Sequence, residues 1–305
     1  SYTHIIVYAS CVKLSYFSNG ACMRWKVSNT FSKLVEFLKA HGFHRLASII
    51  PKNPVSILKF ILRSAVGDLP DYYWRSALKR RFNQCINEIE GLIFRARDEI
   101  EFSDYLADIL AQYIADSIRC STKTLPFDLP KKGTILDVGS GYLTGPSGLI
   151  VRHAISEREI YLILLDIGLG PAMIISRVLR LLGSPKNIVF LKIDIKSLSN
   201  IGSVDLVTLL FTLHEITKTL YHIELSRAYG KQRMDRKILT KELPTLKQIV
   251  YKIHSILKEH GKLVVVDKML DDFNATFVIE LLNSLFKVKS INMHQNQFIL
   301  EAIKH

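Results

Sequence analysis

The pattern of apolar and polar residues divides this sequence near residue 125. Before that point, apolar residues recur every three or four positions, as they do between Phe31 and Leu38. This spacing places them on one face of a helix, so residues 28–120 are predicted to form amphipathic helices that pack on one another. One long helix is predicted from near Asp71 to about Arg97.

Beyond Gly133, short and nearly continuous apolar runs alternate with helical stretches. Such runs are typical of buried parallel strands joined by crossover helices. The predicted parallel strands are Thr134–Val138, Ile160–Leu165, Ile188–Ile193, Val204–Phe211 and Lys262–Asp267. Two further runs, Phe286–Asn292 and Gln297–Ala302, predict an antiparallel hairpin. The predicted fold class is therefore α/β, with a doubly wound sheet that this hairpin closes.

The segment 125–133 contains two prolines and a glycine and lies where the pattern changes. It predicts a boundary between a helical N-terminal domain, residues 1–125, and a second domain, residues 126–305. No apolar run reaches the ~20 residues that a membrane span requires. We therefore expect a cytoplasmic protein with no membrane partner.

The cysteines give no sign of a metal site. None of them lies in a CxxC pair or has a histidine partner at metal-binding spacing. We therefore expect no metal, and structural cysteines in a reducing compartment. The residues concerned are Cys11, Cys22, Cys85 and Cys120.

The glycine-rich end of the first predicted strand is the strongest candidate for a binding site. Asp137 is followed by Gly139, Ser140 and Gly141, and a helical pattern comes next. Glycine has no Cβ and tolerates unusual backbone angles, so this turn lets the main chain approach a ligand closely. On its own the turn would equally suit an ordinary connection between a strand and a helix.

Two more carboxylates follow at the ends of the next two strands. Asp166 ends the second strand, 25 residues after Gly141, and Asp194 follows the third. A carboxylate at the tip of the second strand is placed to accept hydrogen bonds from ribose hydroxyls. A carboxylate at the tip of the third strand can accept a hydrogen bond from an adenine amino group. Ligands of open α/β folds bind at this edge of the sheet, so the three acidic strand ends predict a nucleoside-cofactor site.

This combination resembles the class I S-adenosylmethionine-dependent methyltransferases, over roughly residues 130–305. Their first motif is an acidic residue followed by GxG, matched here by Asp137-Val-Gly139-Ser-Gly141. The resemblance implies a seven-stranded Rossmann-like sheet and S-adenosylmethionine as the cofactor. It also implies that Asp137 and the glycine loop face the methionine part, Asp166 the ribose, and Asp194 the adenine. The remaining residues of the implied cofactor site are Ser140, Ile167, Ile195 and Phe211.

A nicotinamide-dependent dehydrogenase is the main alternative within this fold. It too joins a glycine loop to an acidic residue at the end of the second strand. A GxGxxG motif would need glycine at position 144, which is Thr144, with Gly145 one place late. This spacing favours the methyltransferase interpretation.

His214 and Glu215 follow the fourth strand and are the candidate catalytic residues. In methyl transfer the methyl group is already activated, so positioning and desolvation can do most of the work and a base is optional. Either residue could remove a proton from the acceptor. Equally, the pair could be structural, with His214 bound to a backbone carbonyl and Glu215 capping the next turn.

Two acceptor signatures are missing from the sequence. The Asn/Asp-Pro-Pro-Tyr/Phe motif, which many enzymes that methylate exocyclic or amide nitrogens carry, would lie at 211–214 and does not occur there. The Pro-Cys motif of cytosine-5 methyltransferases is missing too, and residues 126–305 contain no cysteine. Both observations argue against a covalent thiol mechanism.

The charge distribution favours RNA as the partner and methyl acceptor. The formal net charge is +13, and residues 226–262 hold 10 basic and 3 acidic residues. Positive charge near an active site suits a polyanion. Helical domains before this fold also occur in methyltransferases that modify ribosomal RNA, including the aminoglycoside-resistance enzymes, which this chain resembles in architecture only. The basic residues concerned are Lys79, Arg80 and Arg81 in the helical region, and Arg227, Lys231, Arg233, Arg236, Lys237 and Lys241 after the fourth strand.

Other acceptors and one other class of function stay open. Lysine- and arginine-rich helices are often only solvated faces, and many small-molecule methyltransferases also carry helical N-terminal regions. A small molecule, a lipid or a protein is therefore an alternative acceptor. A non-catalytic RNA-binding or assembly subunit is the alternative to an enzyme, since a retained cofactor site does not prove turnover.

Overall fold

The computed structural model describes residues 21–198, 201–216, 236–270, 272–294 and 296–305. By their mutual contacts the residues group into two compact units. The first unit combines the chain up to Thr124 with Tyr142–Arg152 and Gly168–Pro185, and the second contains Leu125–Gly141, His153–Ile167 and Lys186–His305. The predicted division into residues 1–125 and 126–305 stays a prediction.

The first unit is helical, as predicted. Its amphipathic helices bury one face each, and α6 buries Leu106, Leu110 and Ile114 almost completely. Burial of such side chains contributes ~1.5–3 kcal/mol each, and this is what holds the helices together. The helices before residue 125 are α1 (Ala21–Ala40), α2 (His44–Ile49), α3 (Pro54–Ala65), α4 (Asp71–Arg81), α5 (Ile86–Asp98) and α6 (Ile100–Cys120). The unit also contains α8 (Leu169–Leu181) and most of α7 (Pro146–Ser156).

The prediction of one long helix from near Asp71 to about Arg97 is wrong. Helix α4 ends at Arg81, a short 3-10 turn covers Asn83–Cys85, and α5 then begins. Phe82 leaves the helical conformation, with φ −132° and ψ 34°, and its ring lies 5.6 Å from the ring of Phe60. No glycine or proline marks this break, so the apolar pattern did not indicate it.

Helix α8 receives its N-terminal cap from a residue far away in sequence. The carboxylate of Asp68, just after α3, accepts hydrogen bonds from the N–H groups of Leu169 at 2.9 Å and Gly170 at 2.8 Å. The first N–H groups of a helix have no partner within the helix, so an acidic cap stabilises it. Residues 168–170, which directly follow the second strand, are thereby fixed.

The cysteine expectation is only partly met. Cys85 is a buried free thiol. Cys120, at the end of α6, is a disulfide cysteine, so the expectation of reduced cysteines is wrong for this residue. No helix among the described residues combines the length and apolar character needed to cross a membrane.

The second unit contains the whole β-sheet. Seven strands lie in the order β3-β2-β1-β4-β5-β7-β6, and the first five pair in parallel while β7 runs antiparallel to β5 and β6. This confirms the predicted seven-stranded sheet with its antiparallel closing hairpin. The strands are β1 (Gly133–Val138), β2 (Ile160–Asp166), β3 (Ile188–Lys192), β4 (Val204–Leu210), β5 (Leu257–Lys268), β6 (Phe286–His294) and β7 (Gln297–Lys304).

The apolar runs form the strands because both faces of the central sheet are covered. The middle residues of β1, β2, β4 and β5 are buried on both faces, and α9 (Arg236–Ile256) and α10 (Ala275–Leu282) pack apolar side chains against one of the two faces. Strand β5 begins five residues earlier than predicted, at Leu257, with a shift in its register to β4. His260 lies in this irregular stretch with a positive φ of 62°, which the sequence pattern did not indicate.

Candidate functional site

The carboxyl ends of β1 to β4 meet at one edge of the sheet. Asp137 does not project from this edge. It is fully buried one residue before the end of β1, opposite Thr208 of β4, and its Oδ1 accepts a 2.7 Å hydrogen bond from the Thr208 hydroxyl. Burial of a carboxylate is costly unless it is hydrogen-bonded, so this contact anchors β1 to β4 beneath the glycine loop. A direct contact of Asp137 with the methionine part of a cofactor stays a prediction.

The two glycines of the loop have different reasons to be glycine. Both have positive φ, +72° at Gly139 and +57° at Gly141. A Cβ on Gly139 would lie 2.5 Å from Cγ2 and 2.6 Å from Oγ1 of Thr212, which follows β4. A Cβ on Gly141 would meet nothing nearer than 3.9 Å. Gly139 therefore lets Thr212 pack against the loop, whereas Gly141 faces open space.

Ser140 directs its side chain into the protein. The residue is buried, and its hydroxyl donates to the carbonyl of Asp137 at 2.9 Å and accepts from the N–H of Leu165 at 3.1 Å. The N–H of Ser140 also donates to the carbonyl of Leu165 at 3.0 Å. Ser140 thus ties the loop to the end of β2, and its backbone is the part available to a ligand.

Asp166 is the residue that joins the first two strand ends. It is half-buried at the end of β2, and its Oδ2 accepts a hydrogen bond from the N–H of Gly141 at 2.8 Å. Ile167, the next residue, is 57% exposed. The structure therefore brings the Asp166 carboxylate next to the glycine loop, while the contact of Asp166 and Ile167 with a cofactor stays a prediction.

Asp194 follows β3 at the same edge and is half-buried. Its carboxylate caps a 3-10 turn by accepting from the N–H of Lys196 at 2.9 Å, and Oδ2 lies 3.4 Å from the Lys196 ammonium. The side chain of Ile195 instead belongs to the buried core of the second unit. Only the backbone of Ile195 is therefore left for contact with a cofactor.

The chain turns sharply after β4. Phe211 has a φ of +58°, a left-handed conformation that costs a bulky residue of order ~1–3 kcal/mol. Hydrogen bonds hold it there, because its N–H donates to the carbonyl of Val266 at 2.6 Å and the next hydroxyl, of Thr212, donates to Val138 at 2.9 Å. The turn is thus fixed to β5 on one side and to β1 on the other.

His214 and Glu215 lie on the helical segment 213–216 that begins after this turn. His214 is buried, and its Nδ1 contacts Oδ1 of Asp267, a fully buried carboxylate near the end of β5. Its Nε2 lies 3.0 Å from Oε1 of Glu215, whose side chain is 56% exposed. A chain of ionisable groups thus leads from the sheet to the surface, and the roles of His214 and Glu215, as base or as structural pair, stay predictions.

Sequence reasoning missed three residues of this site, namely Thr208, Thr212 and Asp267. Thr208 and Asp267 interrupt strongly apolar strands, and a polar residue inside a buried strand needs a hydrogen-bond partner. The position of these two polar residues within apolar runs could therefore have marked them as candidates from the sequence. Which partner each would find depends on the pairing of β4 with β1 and β5, which the sequence alone does not provide.

The residues at this edge fit S-adenosylmethionine. Asp166 and Asp194 offer acceptors to hydroxyl and amino groups, Gly141 leaves room for close approach, and Ile167 offers an apolar surface to a base. Within the described ranges, no group of three His, Cys, Asp or Glu side chains is placed to hold a metal ion.

Helix α9 carries a positively charged face. Its exposed residues include Arg236, Lys237, Lys241 and Lys247, together with Tyr251, which is 55% exposed. The acidic residue of this helix, Glu242, is buried on the opposite side. Burial raises the pKa of Glu242, and the nearby lysines Lys196 and Lys241 offset this only in part. Every charged group on the exposed face of α9 is therefore a cation.

Some of the predicted basic residues lie elsewhere. Arg227, Lys231 and Arg233 fall outside the described residues. Lys79 and Arg80 are exposed on α4, and Arg81 ends that helix. The basic surface that can be placed within the second unit is therefore the face of α9.

No protein-family model matches this sequence, and no curated protein matches it either. Among solved structures, a SAM-dependent methyltransferase from Aquifex aeolicus is similar over 58% of this chain and 85% of its own, with 15% identity and a TM-score of 0.42. An O-methyltransferase family 2 protein from Planctomyces limnophilus, in complex with apigenin, covers 72% of this chain and 66% of its own, with 14% identity and a TM-score of 0.42. The antibiotic-resistance methyltransferase Kmr covers 57% and 87%, with 14% identity and a TM-score of 0.39.

Proposed function

We propose that this chain, which has the class I methyltransferase fold, transfers the methyl group of S-adenosylmethionine to RNA. The fold follows from the strand order β3-β2-β1-β4-β5-β7-β6 with its antiparallel hairpin. The hydrogen bond between Gly141 and Asp166 is the observation that supports the cofactor most directly. It holds the glycine loop and the second-strand carboxylate side by side at the edge where ligands of such sheets bind.

The cofactor supplies an activated methyl group, so the protein has to position and desolvate the reactants. Asp166 and Asp194 would orient the nucleoside, and the glycine loop would contact the methionine part. The turn at Phe211 and Thr212 would present the acceptor side of the site, where His214 and Glu215 lie. Its backbone is fixed by hydrogen bonds to two strands, which suits a site that must hold reactants in one arrangement.

The exposed face of α9 supports RNA as the acceptor. It carries four cations with no exposed carboxylate among them, and Tyr251 offers an aromatic ring to a base. Phosphate neutralisation by lysine and arginine supplies affinity that does not depend on sequence, and stacking on aromatic rings adds to it.

Parallel calorimetric titrations with S-adenosylmethionine and with NAD test the cofactor. Selective binding of S-adenosylmethionine is expected, and binding of NAD alone would overturn the proposal. Transfer of a labelled methyl group to total cellular RNA, compared with a small-molecule fraction and with protein, tests the acceptor. Salt-sensitive RNA binding without turnover would favour a non-catalytic subunit, and label in another fraction would reject RNA.

A further inference from the structure

We propose that Asp68 is a positioning residue for S-adenosylmethionine, because it holds the chain that directly follows Asp166 and Ile167. This inference rests on the proposed function and concerns the same site. Asp68 lies 101 residues before Leu169 in the sequence, among the helices of the first unit. The inference thus gives the helical region a share in cofactor binding, which sequence reasoning did not assign to it.

The first step of the argument concerns the two hydrogen bonds that Asp68 accepts. Its Oδ1 accepts from the N–H of Leu169 at 2.9 Å, and its Oδ2 accepts from the N–H of Gly170 at 2.8 Å. Hydrogen bonds to an ionised acceptor are stronger than those between neutral groups, and a negative charge at a helix N-terminus adds to them. Asp68 therefore holds the main chain at the start of α8 through both of its oxygens.

The second step concerns Ile167, which lies between two anchors. On the side of the sheet, the carbonyl of Asp166 accepts a hydrogen bond from the N–H of Ile193 at 3.2 Å. On the other side only Gly168 separates Ile167 from Leu169, whose N–H is held by Asp68. Loss of the second anchor would free the chain directly after Asp166. The exposed side chain of Ile167 would then lose its fixed direction.

The third step links the glycine loop to the same segment. Tyr142 directly follows Gly141 and is buried. A Cβ on Gly170 would collide with the hydroxyl of Tyr142 and would lie 3.0 Å from Oδ2 of Asp68. Glycine at position 170 therefore lets the residue after the loop pack against the backbone that Asp68 holds.

Lys59 of α3 contacts the chain after the glycine loop. Its Nζ donates to the hydroxyl of Thr144 at 3.1 Å and lies 5.0 Å from the centroid of the Tyr142 ring. Asp68 follows the same helix by three residues. Helix α3 and the turn after it thus hold the segments that follow β1 and β2, and all of these contacts are within the first unit. Lys59 holds side chains whereas Asp68 holds main chain, so Asp68 should have the larger effect on the cofactor.

Calorimetric titration with S-adenosylmethionine tests the role of Asp68. Asp68→Ala removes both hydrogen bonds and is expected to raise the Kd by about 10-fold. Asp68→Asn keeps one acceptor oxygen and is expected to raise the Kd by about threefold. A displaced main chain has this effect because a binding site depends on groups held close to their productive positions.

Glu88 provides a matched control, because it caps another helix in the same way. Its carboxylate is half-buried like that of Asp68 and accepts from the N–H groups of Arg45 at 3.1 Å and Leu46 at 2.6 Å, at the start of α2. Helix α2 lies between two helices in the sequence and does not follow a strand. Glu88→Ala is therefore expected to lower the free energy of unfolding in urea, as Asp68→Ala does, but to keep the Kd of the wild-type protein.

A cap that serves stability alone would make the two alanine variants alike, with lower stability in urea and the Kd of the wild-type protein. That result would overturn the inference. If Asp68→Ala does not fold, the comparison of Asp68→Asn with Glu88→Gln decides, since each keeps one acceptor oxygen. No binding of S-adenosylmethionine by the wild-type protein would reject the proposed function and this inference with it. Equal binding by the wild-type protein and the Asp68 variants would reject this inference alone.

Discussion

The backbone N–H of Gly141 donates a 2.8 Å hydrogen bond to Oδ2 of Asp166, which joins the loop after β1 to the end of β2. One carboxylate thus both braces the glycine loop and stands where the ribose of a nucleoside is expected. Hydrogen bonds to charged groups contribute about 1.5–3 kcal/mol each. A substitution in either the loop or the carboxylate should therefore disturb the position of the other, because it removes or strains their shared hydrogen bond.

Replacement of Asp166 by Ala is expected to weaken the binding of S-adenosylmethionine by about 10-fold to 100-fold, since a charged hydrogen-bond acceptor is lost. Calorimetric titration measures this directly. Asp128→Ala, an exposed change in the segment before β1, is the control and should bind normally. Unchanged affinity in Asp166→Ala would reject the role of the second-strand carboxylate.

The two loop glycines should differ in their tolerance of alanine. Gly139→Ala places a Cβ 2.5 Å from Thr212 as well as straining a positive φ, and we expect it to lower the free energy of unfolding by about 2–3 kcal/mol. Gly141→Ala meets only the backbone strain, about 1 kcal/mol. Urea unfolding measures both variants.

A double-mutant cycle separates the steric part of the Gly139 effect. In a Thr212→Ala background, Gly139→Ala should cost about 1 kcal/mol less than it does in the wild-type protein, because the Cβ then has room. Equal costs in the two backgrounds would mean that the contact between Gly139 and Thr212 does not limit the loop.

Salt dependence should reveal the role of the basic face of α9. Replacing Lys237, Lys241 and Lys247 together with Gln is expected to reduce the slope of log K against log salt by ~2 for single-stranded RNA, at ~0.7 per phosphate contact. Binding of S-adenosylmethionine should not change. The matched control removes three exposed lysines elsewhere, namely Lys186, Lys287 and Lys289. Equal effects of the two triple variants would show that only total charge matters.

Acid should remove the contribution of an ion pair at the opposite edge of the sheet. Partial burial raises the pKa of Asp205, but hydrogen bonds from the Lys258 ammonium and the Thr134 N–H outweigh it and hold the pKa below its ordinary value. Asp205 therefore stabilises the fold above its unfolded-state pKa of ~3.9, and this contribution is lost as the pH falls through the folded-state pKa.

The variant Lys258→Gln should thus lose about 0.5 kcal/mol of stability near neutral pH and little in strong acid, because both groups are partly exposed. Urea unfolding across this pH range provides the measurement. In an Asp205→Asn background, Lys258→Gln should leave the free energy of unfolding almost unchanged. If the stability lost in Lys258→Gln stays the same down to strong acid, then Asp205 is not the residue through which Lys258 stabilises the fold.

The sequence by itself determined the strands, the closing hairpin and the three acidic strand ends. These features are local, since a buried strand needs a run of apolar residues and a close turn needs glycine. It did not locate the break at Phe82, because no glycine or proline marks the end of that helix. It also did not show that Ser140 points inward.

Only the tertiary structure decided which polar groups meet. Asp137 contacts Thr208, and His214 contacts Asp267. The two residues of these pairs lie 71 and 53 residues apart in sequence. The register of β4 against β1 and β5 fixes these partners, and no local pattern encodes it. For the same reason the sequence offered His214 and Glu215 as alternative bases, whereas the pairing of the strands places one between two carboxylates and leaves the other at the surface.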